Sequence, residues 1–139
     1  MSSFKIFDIA GSGMAAQSVR LNTVASNLAN AESVSGDPNK VYKARHPVFE
    51  AVRASLAAAG QEPGAAVRVS SITENQAAPE ARYEPGNPLA NADGYVFAPN
   101  VNAVEEMVDM ISASRAYQNN IEVMNTSKEL LLATLRLGQ

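Results

Sequence analysis

The chain has no cysteine, no tryptophan and a single histidine, His46. Without thiols it can form neither a disulfide framework nor a thiolate metal site. One imidazole cannot make a histidine cluster. Aromatic residues are scarce, at 6%, and a formal net charge of −3 offers no basic patch for nucleic acid. No segment approaches the roughly 18 apolar residues of a membrane span. Near the N-terminus Lys5 and Asp8 flank Ile6-Phe7, so no secretory hydrophobic region forms. Taken alone, these absences point to the cytoplasm, although a cysteine-free chain tolerates either redox compartment. What remains is 139 residues, 46% of them apolar, which suits one ordinary domain.

Catalytic equipment is missing too. Ser12 and Ser18 have no base to activate them, and His46 precedes Pro47 in a strand-like stretch that suits a surface or structural role. Glu105, Glu106 and Asp109 could ligate a cation, but acidic residues also favour helix N-termini electrostatically, and that explanation suffices. Gly11-Ser-Gly13 has the opening of a nucleotide loop, yet Ala16 occupies the third glycine position and no strand precedes it. Small residues there suit close helix contact or a local bend. The reading is a non-enzyme without catalytic residues, metal ligands or cofactor.

The C-terminal third organises the chain. Asn102 is a good N-cap with Glu105 three residues on, and no proline follows before Gly138. Val104, Val108, Ile111, Tyr117, Ile121, Met124, Leu131 and Leu135 recur at spacings of three and four, with Ser114 and Ser127 or Lys128 in the gaps. A helix over 102–137 is roughly 54 Å long. A compact domain of this length is only about 35–40 Å across, so the seam needs a covering helix from this chain or from neighbours. The N-terminus supplies one: Phe7, Ala10, Met14, Gln17, Leu21, Val24, Leu28 and Ala31 step likewise. The expected fold is mainly α with a small β insertion. Helices 1–31 and 102–139 pack as an antiparallel coiled coil, one domain made by both termini, around an insertion over 32–101.

Within the insertion, Val41–Val52 and Ala66–Ile72 contain β-branched residues in partial alternation, as in a hairpin. Ser55–Gly64 would be its tip, or a short helical turn, and Pro47 belongs at an edge or bulge. Residues 75–88 hold three prolines and read as a loop; Asp93-Gly94 is a turn before an extended Tyr95-Val-Phe. Asn27 and Asn30 sit at a helix end, where they can bond local or neighbouring backbone.

Several stretches together are familiar. Tyr83-Glu-Pro-Gly-Asn-Pro-Leu-Ala, the run from Gly94 to Asn120, Ile9-Ala-Gly-Ser-Gly-Met and Asn22-Thr-Val-Ala-Ser-Asn-Leu-Ala-Asn-Ala resemble the flagellar rod and hook axial-protein family. The resemblance covers essentially the whole chain. Larger members carry a middle domain that 32–101 cannot supply, so the likeness is to the short proximal rod subunits. Ala31-Glu-Ser-Val-Ser and the Ala/Gly-rich tip depart from the pattern.

The resemblance implies a structural subunit of the proximal rod, a helical tube crossing the periplasm that transmits torque and encloses the export channel. Its partners would be copies of itself, other proximal rod subunits, the distal rod protein and the rod-base adaptor. Export would run through the flagellar type III apparatus without a cleaved signal, replacing the cytoplasmic expectation. No nucleic acid or small-molecule substrate is expected. Leu21, Val24, Leu28, Val104, Val108, Ile111, Ile121, Met124 and Leu131 would form the assembly seam. Asn27, Asn30, Arg115, Tyr117, Gln118 and Asn119 lie in matching family motifs and would contact neighbours, with Tyr117 equally suited to packing inside the seam. The competing class is a soluble helical adaptor or secretion chaperone, with the same seams in a stable dimer.

Overall fold

Two long helices bracket two small antiparallel sheets in the computed structural model, which describes residues 3–53 and 64–137. Helix α1 spans Ser3–Asn30 and α2 spans Ala103–Leu137. Between them run β1 (Arg45–Arg53), β2 (Ala65–Glu74), β3 (Glu80–Tyr83) and β4 (Tyr95–Ala98). Half of the described residues are helical and about a fifth are strand. The mainly α expectation therefore narrows to two helices with a small β portion.

Asn102 caps α2 as its sequence requires. Its Oδ1 accepts the N–H groups of Val104 and Glu105, at 3.1 and 3.4 Å, and its carbonyl takes the first helical bond from Glu106 at 3.0 Å. Thirty-five residues then give a rod of about 52 Å. The two helices run antiparallel: Arg20 pairs with Asp109, whereas Gly13, earlier in α1, meets Asn120, later in α2. A Cβ on Gly13 would stand 2.8 Å from the Asn120 amide nitrogen, so glycine here lets the helices approach. Gly11 faces open space and has no such need. The residues buried between the elements are mostly small, with Ala10, Ala16 and Val24 on α1 and Ala113 on α2.

The hairpin forms where alternation placed it. Strands β1 and β2 pair antiparallel from Arg45 opposite Glu74 to Arg53 opposite Ala65, and the register shifts between Val48 and Phe49. Pro47 is opposite Ile72 in a two-stranded sheet, where either strand has a free edge for its missing N–H. Apart from Gly64, the expected tip lies outside the described residues. Both strands lie against α1, and Ser12 fastens β2 to it. Its hydroxyl donates to the Ile9 carbonyl at 2.7 Å and accepts the Val67 N–H at 3.1 Å.

The proline-rich stretch corrects the loop expectation for 75–88, since Glu80–Tyr83 form β3. Pro79 and Pro85 bracket this strand rather than interrupt it, and all four of its residues are exposed, so no burial alternation marks it in the sequence. Its partner is β4, from Glu80 opposite Ala98 to Tyr83 opposite Tyr95. Gly94 makes the return possible at φ +83°, where a Cβ would meet the Tyr83 ring at 2.9 Å. The rings of Tyr83 and Tyr95 then meet edge-on at 5.2 Å. On the other edge of β4, Ser35 and Phe97 exchange backbone bonds of 3.0 and 2.8 Å. Val96 and Ala98 point inward and are buried.

Candidate assembly surface

Asparagines join the β portion to the helices. Asn27 is fully buried on α1. Its amide donates to the Arg45 carbonyl at 2.8 Å, and its Oδ1 accepts the Arg45 N–H and the Tyr42 hydroxyl, each at 2.9 Å. Asn100 does the corresponding work from the approach to α2. It accepts the Ala44 N–H at 2.8 Å and donates to the carbonyls of Asn75 and Ala77 at 3.0 and 2.9 Å. Together they grip both ends of the hairpin's base. Asn100 lacked a signal beyond its place in the Pro-Asn-Val-Asn run, because its three partners are far away in sequence. Asn30 turns back on its own helix, donating to the Ser26 carbonyl at 2.8 Å.

The expected seam residues divide into two sets. Val24 is buried, and Leu21, Leu28, Met124 and Leu131 are half-buried. Val104, Val108 and Ile111 are 65%, 61% and 55% exposed, and Ile121 is exposed as well. Helical geometry accounts for the division. The buried α2 positions are Glu106, Ala113 and Ser127, at intervals of one and two heptads. At about 100° per residue, Val104, Val108 and Ile111 project to the opposite side. Met107 extends that outward apolar strip, and Leu130, Leu132 and Leu135 continue apolar exposure towards the C-terminal end. Among the family-motif positions, Arg115, Gln118 and Asn119 are exposed and Tyr117 is half-buried.

Large apolar side chains are exposed along the length of α2, from Val104 to Leu135. Apolar surface held out on a rod is the mark of an element that another chain covers.

The ion pairs among the described residues are all at least partly exposed. The Arg20–Asp109 bridge of 2.9 Å ties the helices but is partly exposed, which limits its worth. On β3, the Arg82 side chain hydrogen-bonds Glu80 and adds its charge, which lowers the Glu80 carboxyl below its ordinary range. Among the described residues no group of three acidic or histidine side chains is arranged to hold a metal. Among the described residues no helix is long and apolar enough to cross a membrane.

Comparison with known proteins gives this surface its context. Residues 7–36 match the family described as flagella basal body rod protein, and residues 92–137 match the flagellar basal body rod FlgEFG protein C-terminal family. These two matched segments contain nearly all of both helices. The chain is 56% identical to the flagellar basal-body rod protein FlgC of Salmonella typhimurium over 139 residues, covering both chains completely. It is 53% identical to FlgC of Escherichia coli O6:H1, again over the full length of both. With FlgC of Bacillus subtilis the identity is 35% over 150 aligned residues, with both chains covered in full. Full-length identity at this level, with rod-family matches at both ends, makes this chain a member of the flagellar basal-body rod protein family, a structural rod subunit that assembles with other basal-body proteins.

Proposed function

We propose that this subunit belongs to the proximal part of the rod. There both terminal helices, residues 1–31 and 102–139, pack on each other as an antiparallel coiled coil to form one rod domain, and their outer faces pack against helices of neighbouring subunits. Contacts between unlike faces do not close on themselves and so build a helical tube. Such a tube encloses an export channel and carries torque across the periplasm. The observation that carries this reading is the outward strip Val104, Met107, Val108 and Ile111, exposed on a helix longer than a compact domain of this size is wide. Burying the remaining exposed half of each side chain contributes on the order of 1 kcal/mol. Repeated along a stack of subunits, that is enough to drive association.

The same features suit export by the flagellar type III route without a cleaved signal. A free chain whose buried residues are mostly alanine and valine, and whose helices draw stability from partners, is easily threaded and becomes rigid on assembly. The partners are copies of itself, other proximal rod subunits, the distal rod protein and the rod-base adaptor, and the chain has no catalytic role. The test is complementation of a motile bacterium lacking its own copy of this subunit. The natural chain restores swimming and enters isolated basal bodies, whereas Ile111→Asp is expressed but absent from them. Normal incorporation of Ile111→Asp contradicts the reading.

A further inference from the structure

A cavity of about 390 Å³ lies between the hairpin and the first two turns of α2, lined by His46, Val104, Glu105, Glu106, Val108 and Asp109. Its charges are unbalanced. Asp109 is paired with Arg20 at 2.9 Å, but neither Glu105 nor Glu106 has an ion-pair partner among the described residues. Glu106 is the unusual one. It is 5% exposed, and its Oε2 is enclosed without a hydrogen-bond partner. The N-terminal end of α2 favours negative charge there, yet it leaves that oxygen without a donor. A buried carboxylate oxygen without a donor costs stability.

We propose that this cavity receives a basic side chain from a neighbouring rod subunit. The exposed Val104 and Val108 would hold its aliphatic stem, and Glu105, on the helix flank between those valines and Glu106, would lead its cationic head round to the Glu106 carboxylate. Long basic side chains bury their methylene stems against apolar surface while keeping a charged end for polar partners, and bonds between ionised groups are the stronger kind. Val104 and Val108 also belong to the outward apolar strip, so the cavity sits at one end of the surface assigned to assembly. This inference rests on the rod-assembly reading and adds to it a charge lock. Val104, Val108 and Ile111 make the strip adhesive, whereas Glu106 sets where along the strip a neighbour comes to rest.

The experiment compares the natural chain with Glu106→Gln and Glu106→Asp, in complementation and as purified full-length protein. If the natural chain itself fails to enter basal bodies, the rod reading falls and this inference with it. With the natural chain incorporated, Glu106→Gln should reduce incorporation at least roughly tenfold, the scale for removing one member of a buried charge pair. Glu106→Asp, which keeps the charge, should retain more. The thermal stability of purified Glu106→Gln should be unchanged or higher, because a buried charge without a partner has been neutralised. Incorporation of Glu106→Gln at the natural level overturns the lock. So does a parallel loss of incorporation and stability, which marks an internal structural role. Titration of the purified chain with magnesium ion alone should leave the amide resonances of residues 104–109 in place. Saturable shifts there assign the cavity to a small cation and also overturn the proposal.

Discussion

Asn27 and Arg45 meet as two strands of a sheet would. The Asn27 side-chain amide donates to the Arg45 carbonyl at 2.8 Å and accepts the Arg45 N–H at 2.9 Å. A helix side chain thereby stands in for a third strand at the start of β1, in a site closed to solvent. The geometry needs a donor and an acceptor on one planar group of this length. Asparagine supplies both.

Asn27→Ala is expected to destabilise the chain by about 2 kcal/mol, because it removes a fully buried side chain and its bonds to the Arg45 N–H, the Arg45 carbonyl and the Tyr42 hydroxyl together. Asn27→Asp should be no better, since it keeps the acceptor but turns a second oxygen toward the Arg45 carbonyl. Urea denaturation of the purified variants checks both. A midpoint for Asn27→Asp equal to that of the natural chain contradicts the clamp.

The two glycines of α1 should behave differently although they are separated by a single residue. Gly11 has open space at its Cβ position, so Gly11→Ala should stabilise the free chain by up to about 1 kcal/mol through helix propensity. Gly13→Leu drives a large side chain into Asn120 and should cost about 1–3 kcal/mol through overpacking. Thermal unfolding of the pair separates the two roles. Equal shifts in the same direction would argue that Gly13 is not a contact point.

Periodicity made both helices readable, because heptad-like spacing and the Asn102 cap are local features. It could not say which side of α2 the chain keeps for itself. Val104, Val108 and Ile111 carry the stronger apolar signal, yet Ala113, Ser127 and Glu106 are the buried α2 positions. Small and polar residues permit close antiparallel approach in a way that a hydrophobicity pattern does not register. The hairpin was legible from β-branched alternation. Strand β3 was not, because an exposed four-residue strand between prolines gains its order from β4, which pairs with it across the Gly94 turn. The staple made by Asn100 was hidden for the same reason: its partners Ala44, Asn75 and Ala77 come together only in the fold.

Ile121 is an exposed apolar residue midway along α2. Ile121→Asp should leave expression intact and abolish swimming in complementation, because a charge cannot be buried there without a partner. Normal swimming with this substitution counts against an assembly seam that runs the length of the helix.

In free solution the chain should sediment as a monomer. Its helix signal should fall short of the 28 and 35 helical residues of α1 and α2, because the helices draw stability from neighbours. Circular dichroism with analytical ultracentrifugation reads both quantities. A fully helical, stable dimer would favour a soluble adaptor over a subunit that is fixed on assembly.

The central claim is that the outward strip of α2 is covered in the rod. The chain has no cysteine, so Ile111→Cys introduces the only thiol and its reactivity reports on that one position. A thiol-specific reagent should modify it readily in the purified chain and at least roughly tenfold more slowly in isolated basal bodies, as exclusion of solvent from an interface requires. Equal labelling in both states would show that the strip stays open in the assembled rod, and would contradict the account.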